Sequence, residues 1–117
     1  MKNSDIYSLY QILSNISSIK LPAKATFAII RNLKIIEPIV KDIEDARIIL
    51  FKKYGEEAEG VFHFPEDKVN IVDKELTSLA ETNIDILLVK VKESDLENLN
   101  LSIEEAKILL PMIEEEG

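Results

Sequence analysis

His63 is the only imidazole in the sequence, and Glu66 follows it by three residues. An imidazole and a carboxylate close together are the minimum for general acid–base work. Nucleophilic catalysis needs a serine or cysteine beside the base and a third group to orient it. The chain has no cysteine, and no Ser or Asp is placed for that role. A lone histidine without thiolates also falls short of a zinc site. His63 reads as a strand residue facing solvent or a polar neighbour.

Three acidic clusters invite a cation: Glu56-Glu57-Glu59, Glu66-Asp67 and Glu114-Glu115-Glu116. None has the ligand spacing of a calcium loop. Their flanks are loop or tail, where carboxylates are solvated. The three glycines, Gly55, Gly60 and Gly117, are too few and too scattered for a phosphate-cradling loop. Arg31, Lys34, Lys41 and Lys52 lie toward one side of a predicted helix, where Asp45 offsets Lys41 at i,i+4. That pattern fits a solvated helix face better than a phosphate-tracking surface. The sequence therefore points to no catalytic residue, no cofactor and no metal, and to a protein that is not an enzyme.

Its strongest signal is periodic. From residue 22 to 54 the chain reads as one long helix. Thr26, Ile29, Leu33, Ile36, Val40, Ile43, Arg47, Leu50 and Tyr54 recur along it at alternating spacings of three and four. Such a seam is roughly 50 Å long at about 1.5 Å per residue. The radius of gyration expected for a domain of this size is only about 13 Å. The seam must lie against something, either the rest of this chain or another copy. Ile35, Ile39, Ala46 and Ile49 widen the apolar arc beyond a coiled-coil stripe, so two neighbours are expected. Arg47 interrupts the seam. A cation there can fix register by meeting a carboxylate such as Glu44, or can snorkel over apolar surface. Leu33, Ile36, Val40, Ile43, Arg47 and Leu50 are the interface candidates.

Other elements follow from local signals. A first helix is predicted over 5–16, with Ser4 as N-cap and Ile6, Leu9, Tyr10, Leu13 and Ile16 on one face. Pro22 suits the first turn of the long helix, and Gly55 is placed for a left-handed position after its end. Pro38 predicts a kink or a break mid-helix. Residues 55–60 read as a solvated loop and 61–64 as a short strand stopped by Pro65. A third helix is expected over 66–81, although 68–72 also fits a strand. The run 84–92, rich in Ile, Leu and Val, reads as the best strand and as a partner for 61–64. Residues 94–99 form a turn or short helical piece. Ser102 and Glu105 match a capping box before a last helix carrying Ile103, Ala106, Leu109, Leu110 and Ile113. Glu114-Glu115-Glu116 reads as a frayed tail.

At 117 residues, 46% of them hydrophobic, the chain makes a single domain, 1–117, with a real core. No apolar run approaches a membrane span, and the first residues lack the apolar stretch of a secretory signal. The net charge is −8 and unevenly spread. Residues 22–54 carry seven Lys/Arg against four Asp/Glu; residues 55–82 carry two against eight, and 93–117 one against eight. The overall sign disfavours direct nucleic-acid contact and anionic membranes. The basic helix and acidic segments can neutralise each other, within the fold or between subunits.

Several landmarks occur in a telling order. Leu21-Pro22-Ala23-Lys24 opens the long helix, Arg31-Asn32-Leu33 and Ala46-Arg47 lie within it, and Lys53-Tyr54-Gly55 closes it. The acidic glycine-bearing loop, the helix at 66–81, the strand at 84–92, Leu101-Ser102 and Leu109-Leu110-Pro111-Met112-Ile113-Glu114 follow. Over about residues 20–114 this order resembles a family of small proteins of unknown function encoded by tailed bacteriophages and prophages. The resemblance implies a phage or prophage setting, cytoplasmic in the bacterial host or virion-associated. It carries no site residues.

The expected fold is α+β and mainly α: a long, Pro-interrupted helix packed with shorter helices, plus a small two-stranded β element. The expected function is non-enzymatic. It is self-association, as a homo-oligomer, or binding to another phage protein, in a morphogenesis or tail-associated role. The alternative is an acidic inhibitor or nucleic-acid mimic that occupies a basic site on a host protein.

Overall fold

The computed structural model describes residues 1–114. Its order is α1 (Asn3–Asn15), α2 (Ala23–Tyr54), β1 (Glu56–Ala58), β2 (Val61–His63), α3 (Val69–Glu81) and α4 (Ile103–Leu109). Single 3₁₀ turns at Glu66–Lys68, Glu93–Leu96 and Leu110–Met112 lead into or out of these elements. The fold is α+β and mostly helical, with four helices and one two-stranded antiparallel sheet.

Helix α2 is unbroken through Pro38. Pro38 is exposed beside an open groove lined by Tyr10, Lys34 and Lys41. The hydrogen bond its nitrogen cannot make would have ended on the Lys34 carbonyl. On that face water can take the carbonyl instead, while the opposite face holds the helix by packing. That packed face is Ala25, Ala28, Ile29, Asn32, Ile36, Val40 and Ile43, all buried. Helix α1 lies along it with Ile6, Leu9 and Leu13 fully enclosed. Each such side chain contributes about 1.5–3 kcal/mol on burial. Helix α3 packs on both α1 and α2, and α4 on α1.

The termini of these helices depart from expectation in places. Helix α1 begins at Asn3, so Ser4 lies inside it and is not the cap. The first turn is anchored from outside, by Asn3 N donating to Thr82 O at 3.0 Å and Asn3 Nδ2 to Leu79 O at 2.8 Å. Residues 68–72 are helical, as the end of a 3₁₀ turn and the start of α3. The capping box of α4 forms in both directions: Glu105 N donates to Ser102 Oγ and Ser102 N to Glu105 Oε1. The tail residues Glu115 and Glu116 lie outside the described residues.

The β element is not where the apolar runs placed it. Residues 56–58, expected as loop, pair with 61–63 in a tight hairpin: Glu56 opposite His63, Glu57 opposite Phe62, Ala58 opposite Val61. Glu59 and Gly60 both have positive φ, 54° and 78°, the signature of a two-residue type I′ turn. The run 84–92 belongs to no sheet. Its backbone is satisfied at three separate places. Ile84 and Met1 exchange hydrogen bonds of 2.8 and 3.0 Å. Val89 N donates to Asn32 Oδ1 at 2.7 Å while Asn32 Nδ2 donates to Val89 O at 2.9 Å. Val91 N donates to Met112 O and receives Glu114 N, at 2.8 and 2.7 Å. A strand partner is unnecessary because a side-chain amide and two chain segments take the backbone groups.

Asn32 is fully buried, and its amide also lies 3.8 Å from Met112 Sδ. Replacing it by leucine keeps an apolar side chain of similar length but leaves the Val89 N–H and C=O without partners. Asn32→Leu is expected to lower stability by about 2–4 kcal/mol, since each stranded polar group costs about 1–3 kcal/mol. Urea unfolding followed by circular dichroism measures this. A loss below about 1 kcal/mol would mean the pairing adds little.

Candidate functional site

The six seam candidates separate into three groups. Ile36, Val40 and Ile43 are 0, 4 and 8% exposed and sit within the chain's own packing. Helices α1 and α3 supply the neighbours that the seam required. These three residues are buried, and the long helix closes on its own chain over this stretch. Leu33 and Leu50 are half-buried. Arg47 alone is exposed, with its guanidinium 5.8 Å from the Phe51 ring centroid. That is the snorkelling arrangement, a cation over an aromatic face.

Beyond Arg47 the end of α2 carries an aromatic cluster. Phe51 meets Phe62 at 5.6 Å and Phe64 at 5.7 Å between ring centroids, the second edge-on. The hairpin therefore folds back over the last turns of α2. Tyr54 donates to Glu75 at 2.8 Å and ties this end to α3. Lys53 is held above the ordinary lysine pKa by its interaction with the Tyr54 hydroxyl and then by the Glu75 carboxylate. Gly55 is extended, with φ −116°, and not left-handed. Its need for glycine is steric. A Cβ there would stand 2.7 Å from Phe64 Cε1 and 2.9 Å from the Phe51 carbonyl oxygen.

His63 lies exposed on β2, across the hairpin from Glu56. Glu66 belongs to the following 3₁₀ turn and is exposed. Among the described residues no three His, Asp or Glu side chains stand together in a way that could hold a metal. A cavity of about 400 Å³ lies between α1, α2 and α3, lined by Tyr7, Ile43, Arg47, Leu76 and Ala80 among others. Its polar groups are a guanidinium, a phenol, the Asn3 carboxamide and the hydroxyls of Ser4 and Ser8. None of these is a carboxylate or imidazole able to accept a proton near neutral pH.

What the surface does present is apolar. Phe27 and Ile30 are 59 and 42% exposed, one turn apart on the outer side of α2. Ile48 and Ile49 are exposed further along the same helix. Leu110 and Ile103 project from α4 and the turn after it. Reading only the seam missed Phe27 and Ile30, although their i,i+3 spacing opposite the buried face was visible. It also missed Asn32, whose signal was an amide in the middle of an apolar face.

No family model, curated protein or solved structure matches the chain.

The tip makes a sharp steric prediction. Gly55→Ala is expected to destabilise by about 1–3 kcal/mol, the usual cost of forcing extra volume into a packed site. The loss should appear first as faster amide exchange at Ala58 and His63, whose N–H groups belong to the hydrogen-bonded pairs of the hairpin. Unchanged exchange there would mean that Phe64 does not lie against the helix end.

Proposed function

We propose that this protein acts without catalysis, by self-association or by binding another protein, as a component of a phage or prophage. A morphogenesis or tail-associated role is the specific form of that reading. The phage setting rests on the order of landmarks in the sequence alone. The mode of action rests on shape and surface.

The observation that carries it is the mismatch between size and extent. The radius of gyration is 17.3 Å and the long axis 51 Å. A globule of this length would have a radius of gyration of about 13 Å. An elongated chain buries less of its own apolar surface, and this one leaves Phe27, Ile49, Leu87, Ile103 and Leu110 each more than half exposed. Adjacent exposed apolar groups, as Phe27 with Ile30 and Ile48 with Ile49 on α2, mark surfaces that meet other macromolecules. No helix among the described residues is long and apolar enough to cross a membrane. A protein partner is the occupant that fits this surface.

The competing reading, an acidic inhibitor of a basic host site, draws on the net charge of −8. The two differ in what salt does. Apolar association persists at high ionic strength, whereas capture of a basic partner by exposed carboxylates is screened. Light scattering over a concentration series at low and high salt is expected to give a dimer or larger species that survives at high salt. A monomer at every concentration would move the weight to the acidic inhibitor.

A further inference from the structure

Two strongly charged surface segments of the chain are complementary, and each carries an apolar feature at its centre. From Lys20 to Ile36 there are four cations and no carboxylate: Lys20, Lys24, Arg31 and Lys34. Phe27 and Ile30 form an exposed ridge among them on α2. Lys24 and Arg31 lie three and four residues from Phe27, and Lys34 four from Ile30, so all three flank the ridge on the helix surface. The buried neighbours Ala25, Ala28, Ile29 and Asn32 take the core side of these same turns, which leaves the ridge facing outward.

The opposite case lies between Glu93 and Ala106. There are five carboxylates and no cation: Glu93, Asp95, Glu97, Glu104 and Glu105. An open groove of about 350 Å³ runs between this segment and α4, floored by Leu96, Leu101, Leu109 and Ile113. Leu110 lines it at 62% exposure, and Glu93 and Glu97 line it as exposed carboxylates. Within one protomer the two segments are neighbours, with Asn98 Nδ2 donating to Lys20 O at 3.3 Å and α2 packed on the Glu93–Leu96 turn.

We infer that the groove between Glu93 and Ile113 receives the Phe27–Ile30 ridge of a second copy of this chain. Apolar side chains fill the groove, and Lys24, Arg31 and Lys34 of one copy face Glu93 and Glu97 of the other. The contact is heterologous, because two different patches meet, and each copy has both halves. Such an interface closes only if the rotation between copies allows it and otherwise runs on as a filament. The charges steer encounter and fix orientation, while the apolar centre supplies the persistence at high salt. This inference rests on the self-association proposed above.

The test is complementation. Phe27→Glu places a carboxylate on the ridge, and Leu110→Lys places a cation at the groove; both positions are exposed. Each variant alone is expected to raise the dissociation constant at least tenfold in light scattering. An equimolar mixture has one intact ridge and one intact groove and is expected to form a species of two chains. A second pair, Arg31→Glu and Glu97→Lys, repeats the test through charge alone, should either first variant fail to fold by circular dichroism. If the wild type associates and all the variants associate equally well, self-association stands and this contact is overturned. Loss in each variant without rescue on mixing also overturns it. A wild type that is monomeric at every concentration overturns both readings.

Discussion

The paired hydrogen bonds between the Asn32 amide and the Val89 backbone hold this structure in its particular form. A primary amide offers one donor and one acceptor side by side, which matches the N–H and C=O of a single residue in a passing chain. Asn32 stands on the buried face of a helix whose other core positions are apolar. There its polar atoms must be satisfied, and Val89 is what satisfies them. The consequence spreads in both directions. The segment around Val89 is fixed against α2, and two residues on, Val91 takes the backbone of Met112 and Glu114. The C-terminal turn is thereby tied to a segment that Asn32 has placed, while Leu109 and Met112 enter the core directly. At the other end of the same run, Ile84 pairs with Met1 and seats the start of α1.

That arrangement explains why a seam long enough for two chains is largely closed by one. Ile36, Val40 and Ile43 are covered by α1 and α3, while 84–92 and the C-terminal turn seal the region around Asn32. The cost of the design is length. Helix α2 extends past the point where α1 can cover it, and its final turns rely on the Phe51, Phe62 and Phe64 rings and the Tyr54–Glu75 hydrogen bond. An elongated body with apolar groups left on its outer faces is the form that binding to another surface would use. The proposed role follows from that shape, and the residues doing the binding are those the core did not absorb.

Much of this was legible in advance. The 3/4 periodicity located α1 and α2, and Ser102 with Glu105 marked the start of α4, because these are local signals set by helix geometry. The failures turned on partners that local composition does not name. Residues 84–92 have the composition of a strand, but a strand is made by its neighbour, and the neighbour here is a side chain 57 residues away. Residues 56–58 lack strand composition yet pair, because Glu59-Gly60 closes a tight turn and the aromatic rings on β2 have the end of α2 to rest on. The place of Gly55 after a helix suggests a left-handed role, whereas the reason for it is the Phe64 ring. Burial of half the seam was equally out of reach, since periodicity shows that a face is covered and not by what.

The most direct measurement is hydrogen exchange at the Val89 amide under native conditions. If Asn32 holds this segment inside the core, the Val89 N–H should exchange as slowly as the amides of Ile36 and Val40 in the middle of α2, and only through global unfolding. Exchange as fast as that of exposed, surface-facing Leu87 would contradict the account, and would mean that 84–92 opens freely from a helix that still needs a partner.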